Sequence, residues 1–404
     1  MKRIGILGGT FNPIHSAHIM LAETAGERLQ LDRVLIMPSN NPPHKDNSGI
    51  ASDEDRSAMV RLAIKGHDRL EYSDFEMKRE GITYTSDTLE ILTSQNPDTR
   101  YFFIIGADSL FKFTTWHEPS KILRHCALVC SGRAAVGASE VRAKIEEIRD
   151  LYTDGSFIPE IYYIEAPSMD ISSESIRKLI SFEMPSEPYL APEVYQYIQN
   201  SKLYRNGLYE AIKADLGALL KPSRYAHVIS VAQTAVNLAV SVGIDPDKPY
   251  LAGLLHDCAK YLSDEDMLRT AEENGIALED IEKRAVQLVH AKVGAVFAKT
   301  KYGVDDPDIL GAIRYHTTGK PEMSMLEKII YIADTIEPLR TWGDDDELNI
   351  IRSIATSDID RAVYIVLKRT YEYITRKYAD NVSDETVKTY NYYRDLYNRR
   401  KGQQ

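Results

Sequence analysis

The apolar positions of the chain change period near its middle. In the first two hundred residues they come in short runs, with Ile4, Ile6 and Leu7, then Val34 to Met37, Tyr101 to Ile105, Ala127 to Val129 and Ile161 to Ile164. Between the runs the spacing turns helical, near 53–66 and again near 85–94. Such alternation predicts a parallel sheet with helices on its faces and ligands at the carboxyl ends of its strands. Residues 134–160 form a polar, partly helical insertion before the last run. From about residue 208 the pattern is helical almost to the end, in long amphipathic stretches with no convincing strand. Pro185, Pro188 and Pro192 interrupt the stretch between, and Glu193 to Gln199 reads as a closing helix. The expected domains are 1–205 and 208–404, the first α/β and the second all-α. No internal repeat or low-complexity segment is evident.

Length agrees, since 404 residues are many for one hydrophobic core. With 43% hydrophobic and 27% charged residues the chain reads as ordinary globular protein. Its net charge of -11 argues against a broad nucleic-acid surface, so any phosphate binding must be local. Cys126, Cys130 and Cys258 form no CxxC pair and fit a reducing compartment. The Met1-Lys2-Arg3 start is followed by an apolar run that stops at Gly8, too short for a signal core or a membrane span. A cytoplasmic protein without membrane or nucleic-acid partners is expected; the oligomeric state stays open, a homodimer included.

The densest chemistry lies in IGILGGTFNPIHSAHIMLA, Ile4 to Ala22. A buried strand leads into Gly8 and Gly9, which are expected to allow a turn that Cβ-bearing residues resist. Pro13 sits near the expected start of a helix, and His15 and His18 would share a face of its first turn. A helix N-terminus attracts anions, and two imidazoles beside it can donate hydrogen bonds to a polyphosphate as charge develops.

The segment GGTFNPIHSAH resembles the signature of the HxGH nucleotidyltransferase superfamily, with Ala17 in place of the usual Gly. That resemblance implies a Rossmann-like parallel-sheet domain that takes a nucleotidyl group from ATP with Mg²⁺. It places Gly8, Gly9, Thr10, Phe11, His15 and His18 on the nucleotide. ISSESIR, Ile171 to Arg177, matches the second signature, in which Ser172, Ser173 and Arg177 hold the β and γ phosphates. Glu174 stands where Thr is commoner, and is expected to face solvent because a carboxylate aimed at triphosphate would repel it. PSNNPPHK (Pro38 to Lys45), YTSDTL, IIGADSL and Trp116 together are similar to nicotinate-nucleotide adenylyltransferases in particular. By that resemblance His44, Lys45, Thr85 and Trp116 contact nicotinate mononucleotide and Gly106 and Asp108 contact the nucleotide. An aromatic face for a flat heterocycle and N–H groups for its carboxylate suit each other. A different acceptor, such as phosphopantetheine or a CTP-linked alcohol, is the alternative. A class I aminoacyl-tRNA synthetase also carries paired histidines, but its KMSKS loop has no counterpart here.

In the second half the chemistry is spread out: His227 in SRYAH, His256 and Asp257 in GLLHDCAK, His290 in VHAKVG, His316 in RYHTTG and Asp334 in YIADTIEP. Imidazole and carboxylate are suitable ligands for divalent metals, and residues on separate helices can converge inside a bundle. An apolar run such as LAGLLHD does not readily bury an unpaired charge. The series resembles the HD superfamily of metal-dependent phosphohydrolases, and more narrowly the YqeK-type domain that hydrolyses diadenosine tetraphosphate symmetrically to two ADP. The resemblance implies that His227, His256, Asp257 and Asp334 hold a first metal and His290 and His316 a second, with Asp257 bridging. The ions would be one or two transition metals, iron first, with manganese, cobalt and zinc as alternatives. Lys260, one turn beyond His256, would stabilise phosphate charge, with Arg340 as a second candidate; Cys258 reads as core, and the tail from Tyr390 as a solvated helix. Dinucleoside polyphosphates are then the second substrate class. A noncatalytic nucleotide sensor is the other reading of this half.

Overall fold

The computed structural model describes residues 1–40, 49–132, 137–167, 169, 171–341, 345–378 and 382–401. They divide into two compact units, Met1–Arg205 and Asn206–Gln404.

The first unit is built on six parallel strands, β1 (Lys2–Gly9), β2 (Arg33–Pro38), β3 (Leu70–Tyr72), β4 (Thr99–Gly106), β5 (Cys126–Ser131) and β6 (Ile161–Ile164). Their order is β3-β2-β1-β4-β5-β6, so the chain reverses direction across the sheet between β1 and β4. The register pairs Ile6 with Leu35 on one side and Phe103 on the other. Both faces are covered, which is why the strands read as continuous apolar runs. One face packs Leu7, Phe102 and Ile104 under α1 (Ser16–Arg28), α2 (Asp53–Ala63), α7 (Ser173–Ser181) and α8 (Pro192–Asn200). The other packs Ile6, Phe103 and Ile105 under α3 (Thr85–Gln95), α5 (Pro119–His125) and α6 (Ala138–Tyr152), with the short α4 (Ala107–Phe111) at the end of β4. The helix α6 is the partly helical insertion. Strand β3 has no apolar run of its own; it exists through its pairing with β2.

Two local expectations need correction. Gly8 and Gly9 do not make the turn: they close β1, and the left-handed residue is Phe11, with φ 47°. The glycines instead make room, since a Cβ on Gly9 would lie 3.2 Å from the Phe11 ring and one on Gly8 3.4 Å from Phe103. The helix begins at Ser16 rather than near Pro13, with His15 as its N-cap.

The second unit is helical throughout its described residues. In order it contains α9 (Gly207–Leu219), α10 (Pro222–Ser241), α11 (Asp247–Leu255), α12 (Asp264–Glu273), α13 (Asp280–Arg284) and α14 (His290–Thr300). There follow α15 (Pro307–Tyr315), α16 (Met325–Ile336), α17 (Asp345–Ala355), α18 (Ile359–Tyr378) and α19 (Asp384–Lys401). Helices α10 and α11 pack closely at Gly253, where a Cβ would fall 2.6 Å from the Ala232 Cα. Only glycine permits that approach, which brings the end of α11 to α10. The final helix is less solvated than expected. Tyr393 is buried and its hydroxyl accepts from the Met323 N–H at 3.1 Å, while Tyr390 and Tyr397 stack on Tyr371 and Tyr364 of α18. Among the described residues no helix is long and apolar enough to cross a membrane.

Candidate active sites

The first site forms at the carboxyl ends of β1 and β4, where neighbouring connections leave the sheet in opposite directions and a crevice opens. It is a cavity of about 830 Å³. Every described first-domain candidate lines it: Gly8, Gly9, Thr10, Phe11, His15, His18, Thr85, Gly106, Asp108, Trp116, Ser172, Ser173 and Arg177. His44 and Lys45 lie outside the described residues. Glu174 touches the rim but is exposed.

The two phosphate motifs are fastened to each other across the sequence. Arg177 Nη1 donates to the Asn12 carbonyl at 2.7 Å and Ser173 Oγ to the Pro13 carbonyl at 2.9 Å. Ser172 caps α7 by accepting from the Ser175 N–H at 3.0 Å. The histidine rings stack with centroids 3.7 Å apart, and the edge of Phe11 meets His18 at 5.1 Å. His18 Nδ1 accepts the His15 backbone N–H at 3.3 Å, which places the neutral ring's proton on Nε2 and makes that atom a donor. Trp116 is half-buried against Phe113 and Phe103, with ring centroids 5.5 and 6.2 Å away, so packing and cavity lining are both true of it.

Several contributors carried no sequence signal. Arg56 is fully buried, and its Nη1 donates to the carbonyls of Thr10 at 2.8 Å and Ser39 at 2.7 Å, tying the phosphate turn to the loop after β2. Asn12 Oδ1 accepts from the Ala51 N–H at 3.0 Å and the Tyr204 hydroxyl at 2.9 Å. Glu76 faces the cavity; burial pushes its carboxyl up, against the Thr88 hydroxyl bonded to it at 2.8 Å and the charge of Arg79. Thr83 Oγ1 is buried without a partner among the described residues, on a residue that lines the same cavity. Arg56 and Asn12 depend on contacts between distant segments, which no local pattern reveals.

The second site lies inside the helical unit. His227 sits in α10, His290 opens α14 and Asp334 is in α16, but the expectation of one helix per ligand fails for the others. His256 and His316 are the residues that end α11 and α15, and Asp257 follows in a turn. The histidines share one arrangement. Nδ1 of His256 meets the Gly253 carbonyl at 2.7 Å, Nδ1 of His316 the Ile313 carbonyl at 2.7 Å, Nδ1 of His290 the Gln287 carbonyl, and Nδ1 of His227 the Glu337 carboxylate at 3.0 Å. In each case Nδ1–H donates to the oxygen, leaving Nε2 as the basic atom turned inward. Asp257 stands between them. Its Oδ2 is 3.9 and 3.5 Å from Nε2 of His227 and His256, and its Oδ1 is 3.1 and 3.7 Å from Nε2 of His290 and His316. Asp334 Oδ1 is 3.0 Å from His227 Nε2 and 3.8 Å from His256 Nε2.

This donor set fits a divalent metal. His227, His256 and Asp257 form one group whose ligand atoms lie within 4.8 Å of one another, and Asp257, His290 and His316 form another. Among the described residues Nε2 of His256 is buried without a hydrogen-bond partner, a costly arrangement unless a cation accepts its lone pair. Burial alone would raise the Asp257 carboxyl, but the histidines around it hold it well below the usual range, and Asp334 is likewise held low. Burial, helped by the charges of His316 and Lys260, pushes His290 down to about 4 and keeps it neutral, the form a ligand needs. Burial also lowers Lys260. Cys258 is buried, its thiol reaching the Gly294 carbonyl at 3.4 Å. Beside the centre, a cavity of about 300 Å³ runs from His316, Asp334 and Arg340 to Tyr373.

The cytidylyltransferase-like family matches residues 6–179, and the HD domain, which implies a divalent metal, matches residues 224–339. A relative from Lachnoclostridium phytofermentans, named a probable nicotinate-nucleotide adenylyltransferase, is 37% identical over 209 residues, 52% of this chain and all of its own length. A Clostridium acetobutylicum protein of the same name is 38% identical over 204 residues, 50% of this chain and all of its own. A Mycoplasma genitalium protein, named a probable nicotinate-nucleotide adenylyltransferase/Ap4A hydrolase, is 27% identical over 370 residues, 91% of this chain and 97% of its own. With an HD domain behind its parallel-sheet domain, the chain belongs to the nicotinate-nucleotide adenylyltransferase family.

Proposed function

We propose that the chain is a bifunctional enzyme. Its first domain transfers AMP from ATP to nicotinate mononucleotide, giving nicotinate adenine dinucleotide and pyrophosphate. Its second hydrolyses diadenosine tetraphosphate to two ADP. What carries the reading is the gathering of each motif set into one site: both phosphate signatures on one cavity, and four imidazole nitrogens around one carboxylate.

In the first reaction a phosphate oxygen of the mononucleotide bonds to the α-phosphorus of ATP as the bond to pyrophosphate breaks. Positioning and charge stabilisation suffice, with no covalent protein nucleophile. His18 donates from Nε2 to oxygens gaining charge, His15 holds its ring by stacking, and Arg177, Ser172 and Ser173 receive the departing phosphates. Mg²⁺ arriving with ATP screens the triphosphate. Trp116 and Thr85, with the His44–Lys45 loop, take the pyridine ring and its carboxylate, while Gly106 and Asp108 border the nucleotide.

In the second domain His227, His256, Asp257 and Asp334 would hold one ion and His290 and His316, sharing Asp257, another. Iron is the first expectation, before manganese, cobalt or zinc. Such ions supply Lewis acidity and lower the pKa of water when bound. Burial keeps His290 neutral, the form a ligand needs, and the protein presents Lys260 to the phosphate. Overall, the elements of water add across the central P–O–P bridge, and the bridging oxygen leaves with ADP.

Chromatography of early products from the full-length chain tests both halves. Nicotinate adenine dinucleotide from nicotinate mononucleotide and ATP, and ADP alone from diadenosine tetraphosphate, are expected. ATP plus AMP from the latter would refute symmetrical cleavage, and binding without turnover would make the HD half a sensor.

A further inference from the structure

The two carboxylates of the metal-ligand cluster each carry an arginine. Arg340 holds Asp334, Nη2 to Oδ1 at 2.7 Å and Nε to the backbone carbonyl at 3.0 Å. Arg224, one helical turn before His227 in α10, donates from Nη1 to Asp257 Oδ2 at 2.9 Å. That bond uses one of five N–H donors on a side chain that is 37% exposed, so the guanidinium can hold Asp257 and still present donors outward. Lys260 lies close enough to both arginines for their charge to help lower its pKa.

Charge makes this arrangement informative. Arg224, Lys260 and Arg340 balance Asp257, Asp334 and Glu337 before any metal is counted. A divalent ion bound there leaves an excess of positive charge in a chain whose net charge is -11. That excess calls for an anion with several charges. Position then separates the cations. Arg340 lines the cavity of about 300 Å³ beside the cluster, whereas Arg224 and Lys260 are not among its lining residues. A phosphate chain that reaches from that cavity past Asp334 to Asp257 meets Arg340 at the first carboxylate and Arg224 at the second.

We propose that Arg224 is a substrate-binding residue that engages the phosphates beyond the one attacked, and so makes the site selective for polyphosphate chains over single phosphates. This rests on the hydrolase reading for its substrate but not for its test. The full-length chain loaded with Co²⁺ at the HD centre gives a visible spectrum that reports ligands there and not at the ATP cavity. Titration with inorganic tripolyphosphate and with orthophosphate compares a long anion with a short one. In Arg224→Gln the tripolyphosphate Kd should rise roughly tenfold or more, the scale of a lost charge-assisted hydrogen bond, while orthophosphate shifts much less. Arg224→Lys should recover part of the loss, since it keeps the charge without the fork. Bound cobalt should be unchanged. Loss of cobalt from Arg224→Gln would make Arg224 a structural support of Asp257 and overturn the inference, as would equal weakening of both anions or of neither. If tripolyphosphate selectivity depends on Arg224 while diadenosine tetraphosphate is not cleaved, the hydrolase reading fails and this one stands. If cleavage proceeds and Arg224→Gln leaves its KM unchanged, this one fails alone.

Discussion

The two sites solve one problem, holding phosphate in a protein of net negative charge, with different materials. The first is built largely from main chain: strand ends, the start of α1 and the start of α7, with side chains fastened to backbone carbonyls. The cavity it borders has a volume of about 830 Å³, and helix N-termini attract anions with dipoles that do not titrate. The second is built from ionisable side chains drawn from segments more than a hundred residues apart, packed until several are fully buried. Such a cluster is stable only when its charges are mutually satisfied, so it depends on a cation in a way the first does not.

Breaking the second site at its shared member should have the largest effect. Asp257→Ala removes an oxygen from both ligand groups, and should abolish metal retention and hydrolysis together, as metal analysis and product assay will show. Hydrolysis surviving with metal bound would remove Asp257 from the bridge. In the first site the comparable change is milder because backbone donors remain. His18→Ala should lower kcat about 10² to 10³-fold, the scale of one lost oxyanion donor, with little change in thermal stability. A rate within a few-fold of the original would reject the role.

Substrate choice gives a smaller effect. Nicotinamide mononucleotide, which lacks the carboxylate, should be poorer in kcat/KM by roughly tenfold or more, since a buried charge-assisted contact is worth about 1.5 to 3 kcal/mol. Equal values would refute the carboxylate contact. Acid sharpens the comparison further. His290, held near 4, stays neutral while its unfolded counterpart titrates at about 6.5. A depressed imidazole pKa means that the unfolded state binds the proton first. Its contribution is thus present above pH ~6.5 and lost as pH falls toward 4. His227 is raised by Asp334 and Glu337 despite burial, so its contribution runs the opposite way. The melting temperature of chelator-treated protein should therefore fall across that acid window, and less steeply in His290→Gln. An identical slope in both would remove His290 from the effect.

The same contrast explains what could be read from sequence. The phosphate turn, His15, His18 and the capped start of α7 are contiguous residues, and the structure gathers them on one cavity. The HD residues were recognisable as chemistry, but not their arrangement, because His256, Asp257 and His316 project from helix ends and turns. Strand β3 escaped because a three-residue edge has no period of its own. Arg56, Glu337 and Arg224 escaped because each acts on a partner far away in sequence, and Thr83 because nothing local marks its buried hydroxyl. The tyrosines of α19 looked solvated because a helix with polar residues all round shows its buried side only against its neighbour.

The central claim is that one chain holds two phosphate chemistries on separate sets of groups. The most direct measurement assays His18→Ala and Asp257→Ala, each in the full-length protein, for both reactions. His18→Ala should lower adenylyl transfer about 10² to 10³-fold and Asp257→Ala should abolish hydrolysis, each leaving the other reaction within about twofold, as expected for units with separate cores. Loss of both activities from either substitution, in protein that remains folded, would contradict the account.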